Sequence, residues 1–155
     1  MTTTNLLIRP LKKEDRAQWA VLWEGYNTFY ERTGTNALPD EVTEATWNRF
    51  FDDSEPVHAL VAEENGQLLG LAHYLFHRST SRLQHVCYLN DLFTTPDARG
   101  KGVGGALINA VYEQARQAGS PITYWQTHET NETAQKLYNQ VAEKSGFIVY
   151  RRSMK

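Results

Sequence analysis

The stretch Asp91–Ile108, reading DLFTTPDARGKGVGGALI, limits what this chain can fold into more than any other. Tyr88 to Thr95 is rich in aromatic and β-branched residues, which predicts a strand, and Pro96-Asp97 ends it as turn punctuation. From Val103 the apolar period changes. Val103, Ala106, Leu107, Ala110, Val111 and Ala115 fall on one helical stripe, with Glu113, Gln114 and Arg116 largely off it. Between the predicted strand and helix, Gly100, Gly102, Gly104 and Gly105 clear side chains from the backbone. Amides of the helix's first turn point into that gap, where the helix dipole favours an anion. Arg99 and Lys101 add positive charge. Such a loop suits a pyrophosphate.

Other uses of the loop fit less well. Gly100–Gly105 also satisfies the dinucleotide pattern G-x-G-x-x-G. That fingerprint normally opens a long parallel sheet, whereas only fifty residues follow the loop here. Roughly twenty residues downstream, where an acidic ribose ligand is expected, the chain reads Tyr124-Trp125-Gln126. A P-loop needs Gly-Lys-Ser/Thr at the helix start, and Gly104-Gly105-Ala106 stands there. Four glycines beside two cations also exceed what a bare strand–helix turn requires.

The same residues resemble a known family. Arg99-Gly100-Lys101-Gly102-Val103-Gly104 matches the Arg/Gln-x-x-Gly-x-Gly/Ala loop of the GNAT superfamily of N-acetyltransferases. The likeness runs backwards through Tyr88-Leu89-Asn90-Asp91-Leu92-Phe93, similar to the preceding strand of polyamine, thialysine and yeast histone-type acetyltransferases. It runs forwards through Asn131-Glu132-Thr133-Ala134-Gln135-Lys136-Leu137-Tyr138, similar to the family's Asn-x-x-Ala-x-x-Leu-Tyr helix. The recognisable part extends from about Leu7 to Phe147, with its strong motifs in the second half. The resemblance implies an α/β fold with a mixed, mostly antiparallel sheet flanked by about four helices. Acetyl-coenzyme A is the implied co-substrate, its pyrophosphate cradled by Arg99, Gly100, Lys101, Gly102, Val103, Gly104 and Gly105.

Length and composition agree. At 155 residues the chain is read as one domain, residues 1–155, able to bury a core without staples. Net charge is −2, and no run of like charges suggests a nucleic-acid partner. No apolar stretch approaches membrane-spanning length and no signal pattern opens the chain, so a soluble cytoplasmic protein is expected. The single cysteine, Cys87, excludes an internal disulfide and is read as a small buried apolar residue. Residues 1–60 carry six Lys/Arg against ten Asp/Glu, and residues 61–155 ten against eight. An anionic co-substrate on the basic back and a cationic acceptor on the acidic front would suit that division, as would ordinary solvated faces.

Taken in order, Leu6–Arg9 reads as a strand ending at Pro10, and a helix begins near Glu14-Asp15. Trp19, Leu22, Trp23, Tyr26 and Tyr30 lie on one stripe of it, and Gly25 marks a weak point or bend. A second helix is predicted near Thr43–Asp52 with Trp47, Phe50 and Phe51 inward, its flanks the most acidic part of the chain. Val57–Glu63 and Leu68–Phe76 are strands joined by the hairpin signal Asn65-Gly66. His73 and His77 have metal spacing only on a helix, and no metal is expected. After the loop helix come a strand over Ile122–Thr127, a helix capped by Asn131 and ending at Ser145-Gly146, and a last strand over Phe147–Arg152. The family usually closes with two strands, and one is legible here. An open sheet edge of that kind invites a second copy, so a homodimer is expected.

Acetyl transfer to an amine requires the thioester carbonyl polarised, the amine deprotonated and the thiolate protonated. The resemblance implies that backbone amides of Leu92, Phe93 and Thr94 face the carbonyl. In polyamine-type relatives a Glu–Asp pair contacts the acceptor; here the pair reads Asn90-Asp91, and an amide cannot take a proton. Asp91 is the first candidate base, ahead of His128 and Glu129. Successive strand residues face opposite ways, so Asn90 and Asp91 converge only across a bulge. Tyr138 aligns with the tyrosine that protonates the leaving thiolate, and its place on the stripe with Leu137 and Val141 equally suits a core aromatic. Asn131 is implied to bond the pantetheine arm; Tyr26, Tyr30 and His128 are candidates for the acceptor site. The expected function is N-acetyl transfer to a primary amine of a small molecule or of a protein lysine. The alternative is a coenzyme-binding module without catalysis.

Overall fold

The computed structural model describes residues 5–154, which divide into two compact units meeting at Trp125 and Gln126. The first unit starts with β1 (Leu6–Pro10), a 3-10 turn (Lys13–Asp15), α1 (Arg16–Phe29) and α2 (Asp40–Arg49). It continues through β2 (Val57–Glu64), β3 (Gln67–His77), β4 (Val86–Thr94), α3 (Val103–Gln117) and β5 (Thr123–Tyr124). The strands lie in chain order in one sheet. Pairing is antiparallel from β1 to β4 and parallel between β4 and β5. This is the mixed, mostly antiparallel sheet expected from the sequence.

Local chemistry explains the elements. Asn65 and Gly66 both have positive φ, 51° and 83°, as a tight turn between β2 and β3 demands. On β3 the alternation of side chains divides the core into two layers. Leu71 packs with Trp19, Leu22, Trp23 and Tyr26 of α1, Trp47 of α2 and Val61 of β2. Gly70 faces the other way, where a Cβ would stand 3.1 Å from Leu107 of α3. Val103, Leu107, Ile108, Val111 and Ala115 form the buried face of α3. At the sheet edge, Arg9 grips Asp15 through two nitrogens at 2.8 and 2.9 Å and reaches Glu63 at 3.1 Å.

Some boundaries differ from expectation. The second helix begins earlier, at Asp40, because Pro39 precedes it and Asp40 and Glu41 suit the positive end of its dipole. It ends at Arg49, leaving Phe50 and Phe51 in the following turn, still packed on the core. Gly25 makes no break, since α1 runs through it. β5 is only two residues long.

The second unit contains α4 (Glu132–Val141). Its stripe of Ala134, Leu137, Tyr138 and Val141 is half-buried. The helix stops at Val141 rather than Gly146, and the strand expected over Phe147–Arg152 is not formed. Phe147 and Tyr150 are 89% and 88% exposed. Apolar character alone does not make a strand; a neighbouring backbone must supply its hydrogen bonds.

Candidate active site

A polar chain crosses the layer between α1 and the sheet. On β3 and β4, His73 pairs with Asp91 but Tyr74 pairs with Leu89, leaving Asn90 as the extra residue of a β-bulge. The bulge lets neighbours cooperate that a regular strand would separate. The exposed Asn90 turns its amide so that Nδ2 donates to Asp91 Oδ1 at 2.9 Å. His73 Nδ1 lies 2.9 Å from Asp91 Oδ2, and the Tyr26 hydroxyl of α1 donates to the same carboxylate. Trp19 Nε1 then donates to His73 Nε2 at 3.1 Å. Asp91 is 9% exposed and His73 2%.

Burial alone would raise the Asp91 pKa. The hydrogen bond from His73, any positive charge on that ring, and the hydrogen bonds from Tyr26 and Asn90 outweigh it and hold the carboxyl below its ordinary range. Burial and the adjacent Asp91 charge push the Tyr26 phenol upward, so it remains a donor at working pH. Among the described residues, no Lys or Arg is in ion-pair contact with Asp91.

The Tyr30 ring lies tilted against Tyr26 with centroids 4.9 Å apart and keeps 40% of its surface exposed. The Arg32 guanidinium lies 5.9 Å from the Tyr26 centroid and 5.5 Å from that of Tyr30. It is held there by Asn27 Oδ1, which accepts from Nη1 at 2.9 Å.

The glycine loop leaves the end of β4. Leu92, Phe93 and Thr94 pair with Ala72, Leu71 and Gly70 of β3. β5 pairs with β4 only at Cys87 and Tyr88, so among the described residues the outer edge from Leu89 to Thr94 has no strand beside it. A 3-10 turn, Pro96–Ala98, leads to Arg99. Gly100 and Gly102 take φ of 81° and 80°, values that side-chain-bearing residues resist, and Gly102 stands at the N-cap of α3. Val103 is buried, so only its backbone is offered to a ligand, while Gly104 and Gly105 are half-buried. Amides of this first turn lack intrahelical acceptors. Exposed Arg99 and Lys101 flank them, with the Arg99 guanidinium 6.0 Å from the Phe93 ring. Phe93, Arg99, Gly25 and Phe29 border a cavity of about 470 Å³ between α1 and the loop.

In the second unit, Asn131 occupies the N-cap of α4 without making the side-chain cap bond; its Nδ2 donates instead to Thr127 Oγ1 at 3.2 Å. His128 is exposed, with Nδ1 2.7 Å from Thr130 Oγ1. Tyr138 lies on the half-buried stripe of α4.

The tertiary structure thus joins Tyr26, Asn90 and Asp91, with Tyr30 beside them. It adds Trp19, which the helical stripe marks only as apolar, and His73, whose spacing from His77 suggests no role on a strand. The missed signal was a lone histidine within the apolar run Leu68–Phe76 of a strand. His77, by contrast, is exposed and bonds Arg78 O and Tyr124 Oη, each at 2.8 Å.

Three comparisons bear on this geometry. The model of the acetyltransferase (GNAT) family matches residues 19–142. The D-amino-acid N-acetyltransferase of Saccharomyces cerevisiae is 36% identical over 155 residues, covering 99% of this chain and 94% of its own. An uncharacterised N-acetyltransferase of Bacillus subtilis is 35% identical over 145 residues, with 92% and 94% covered. Among solved structures, an aminoglycoside N-acetyltransferase in complex with coenzyme A superposes with a TM-score of 0.82 at 19% identity, over 98% of this chain and 97% of that one. The chain belongs to the GNAT family of acetyltransferases, enzymes that move an acetyl group from acetyl-coenzyme A to an amine.

Proposed function

We propose that the acceptor is a small amine that also carries a carboxylate, an amino acid, with its ammonium at Asp91 and its carboxylate at Arg32. One observation carries the reading: Asp91 is a buried carboxylate hydrogen-bonded to His73 and Asn90, with no Lys or Arg paired to it among the described residues. Such a charge favours a cation as ligand. Arg32 lies over the tyrosines that border it and supplies the opposite charge. The name of the yeast relative supports the same class.

The loop suits acetyl-coenzyme A, which brings the activated acyl group. Backbone amides at Gly102–Gly105, with Arg99 and Lys101, would hold its diphosphate. Asp91 holds and orients the acceptor's ammonium. A carboxyl kept below its ordinary range is a poor proton acceptor at neutral pH, and Asn90 is not a base. The amine therefore loses its proton to water reached past exposed Asn90. Tyr138 is the group assigned to protonate the departing thiolate.

Thiol release measured across D- and L-amino acids, their methyl esters, polyamines and lysine peptides tests the acceptor. Free amino acids are expected to exceed their esters, and Arg32→Gln to erase that preference. Esters or polyamines turning over faster would overturn the reading. Full rate in Tyr138→Phe would remove its role, and coenzyme binding without turnover on any amine would favour a regulatory module.

A homodimer completes the proposal. The exposed run Phe147–Tyr150 has the composition of a strand without a partner. Sedimentation showing a monomer at micromolar concentration would exclude it.

A further inference from the structure

We propose that Trp19 and His73 act as a positioning relay that keeps Asp91 an uncompensated anion, and that this relay makes the site selective for a cationic acceptor. The inference deepens the reading of Asp91 as the ammonium anchor and rests on it.

The argument is one of donors and acceptors. An indole nitrogen can only donate, so the His73 Nε2 that faces Trp19 Nε1 at 3.1 Å must offer its lone pair. The ring's proton then sits on Nδ1, 2.9 Å from Asp91 Oδ2, and is donated to it. The other states fail. A proton on Nε2 alone would set two donors against each other and two acceptors against each other. An imidazolium would satisfy Asp91 but leave a buried N–H against the Trp19 N–H, an unpaid desolvation.

Among the described residues, no other side chain is hydrogen-bonded to His73 Nε2 to relieve that conflict. Around His73 stand the Trp23 ring of α1 at 5.1 Å and the Phe50 ring after α2 at 4.6 Å. The Arg16 guanidinium lies 5.6 Å from the Trp19 ring centroid, and Tyr26 and Asn90 donate to Asp91 itself. His73 thus lends Asp91 a hydrogen bond without lending it a charge. The carboxylate keeps its full negative charge for the acceptor, which an imidazolium would cancel.

The test reads the relay directly and then through the reaction. In the full-length protein labelled with nitrogen-15 at histidine, long-range proton–nitrogen correlation should show His73 with a protonated Nδ1 facing Asp91 and a bare Nε2 facing Trp19. His73→Asn identifies the signal by its loss. A doubly protonated ring, or a proton on Nε2, overturns the proposal without requiring turnover. Kinetically, His73→Leu should lower kcat/KM for the amine about tenfold or more through KM, with coenzyme affinity by calorimetry unchanged. His73→Asn retains an N–H for Asp91 and should recover most of the loss. Leu and Asn variants equally impaired would reduce His73 to packing. Wild-type protein with the expected tautomer but no amine turnover would instead sink the acceptor reading of Asp91.

Discussion

The Phe93 ring occupies the space a side chain at Gly25 would need. A Cβ built on Gly25 stands 2.7 Å from Phe93 Cζ and 2.9 Å from Cε2, well inside contact distance. Helix α1 therefore carries a glycine because an aromatic ring from β4 lies against its backbone, beside the cavity that reaches Arg99. Gly25→Ala should push the ring toward that cavity. Because the clash involves the far end of a side chain, and alanine gains ~1 kcal/mol in helix propensity, thermal stability should change little. Coenzyme affinity should fall several-fold, as measured by calorimetry. Unchanged affinity would show that the cavity beside Phe93 is not used.

Gly102→Ala tests the loop. Its φ of 80° costs a side-chain-bearing residue ~1–2 kcal/mol, and nothing stands within 4 Å to clash. The prediction is a modest loss in denaturant midpoint with a loss of about tenfold or more in coenzyme affinity. A variant that binds coenzyme normally would separate the loop from diphosphate recognition.

Tyr26→Phe removes a donor from Asp91 while keeping the stacked rings of Trp23 and Tyr26, now 5.3 Å apart. Loss of a hydrogen bond to a charged group corresponds to ~1.5–3 kcal/mol. The acceptor kcat/KM should fall at least tenfold, with coenzyme binding untouched. Equal effects on both ligands would assign Tyr26 to packing alone.

Acid stability should follow Asp15. The Arg9 hydrogen bond, opposed by burial and aided by the Lys12 amide, holds its carboxyl below the ordinary 3.8. Because the folded value lies below the unfolded one, the stabilisation is complete above about 4 and is lost as pH falls through the folded value. Arg9→Met leaves the buried carboxylate unpaired and should cost ~3 kcal/mol near neutrality, with a flatter decline below about pH 4. Urea titrations of both proteins from neutrality to strong acid measure the difference.

Cys87 is buried, and desolvation pushes its thiol up to about 11. It should be inert to thiol reagents in the native protein at pH 8 and react once in denaturant. Rapid native labelling would contradict the packing of β4.

What could be read from the chain alone was local. The glycine-rich loop from Gly100 to Gly105, the hairpin signal at Asn65-Gly66, the strand over Leu68–Phe76 and the helical stripe from Val103 are properties of short segments, so residue type and periodicity declared them. The strand expected at Phe147 shows the limit, since a strand needs a partner that its own residues cannot supply. Tyr26, Asn90 and Asp91 were legible as candidates, but tertiary structure alone decided how they meet and what stands behind them. Trp19 meets His73 across 54 positions and His73 meets Asp91 across 18, and both meetings depend on how α1 lies on the sheet. The bulge at Asn90 turned two neighbours on alternating faces into one hydrogen-bonded pair. Register and the seating of a helix are settled by packing between distant segments, which is why a histidine in an apolar strand could not disclose its partner.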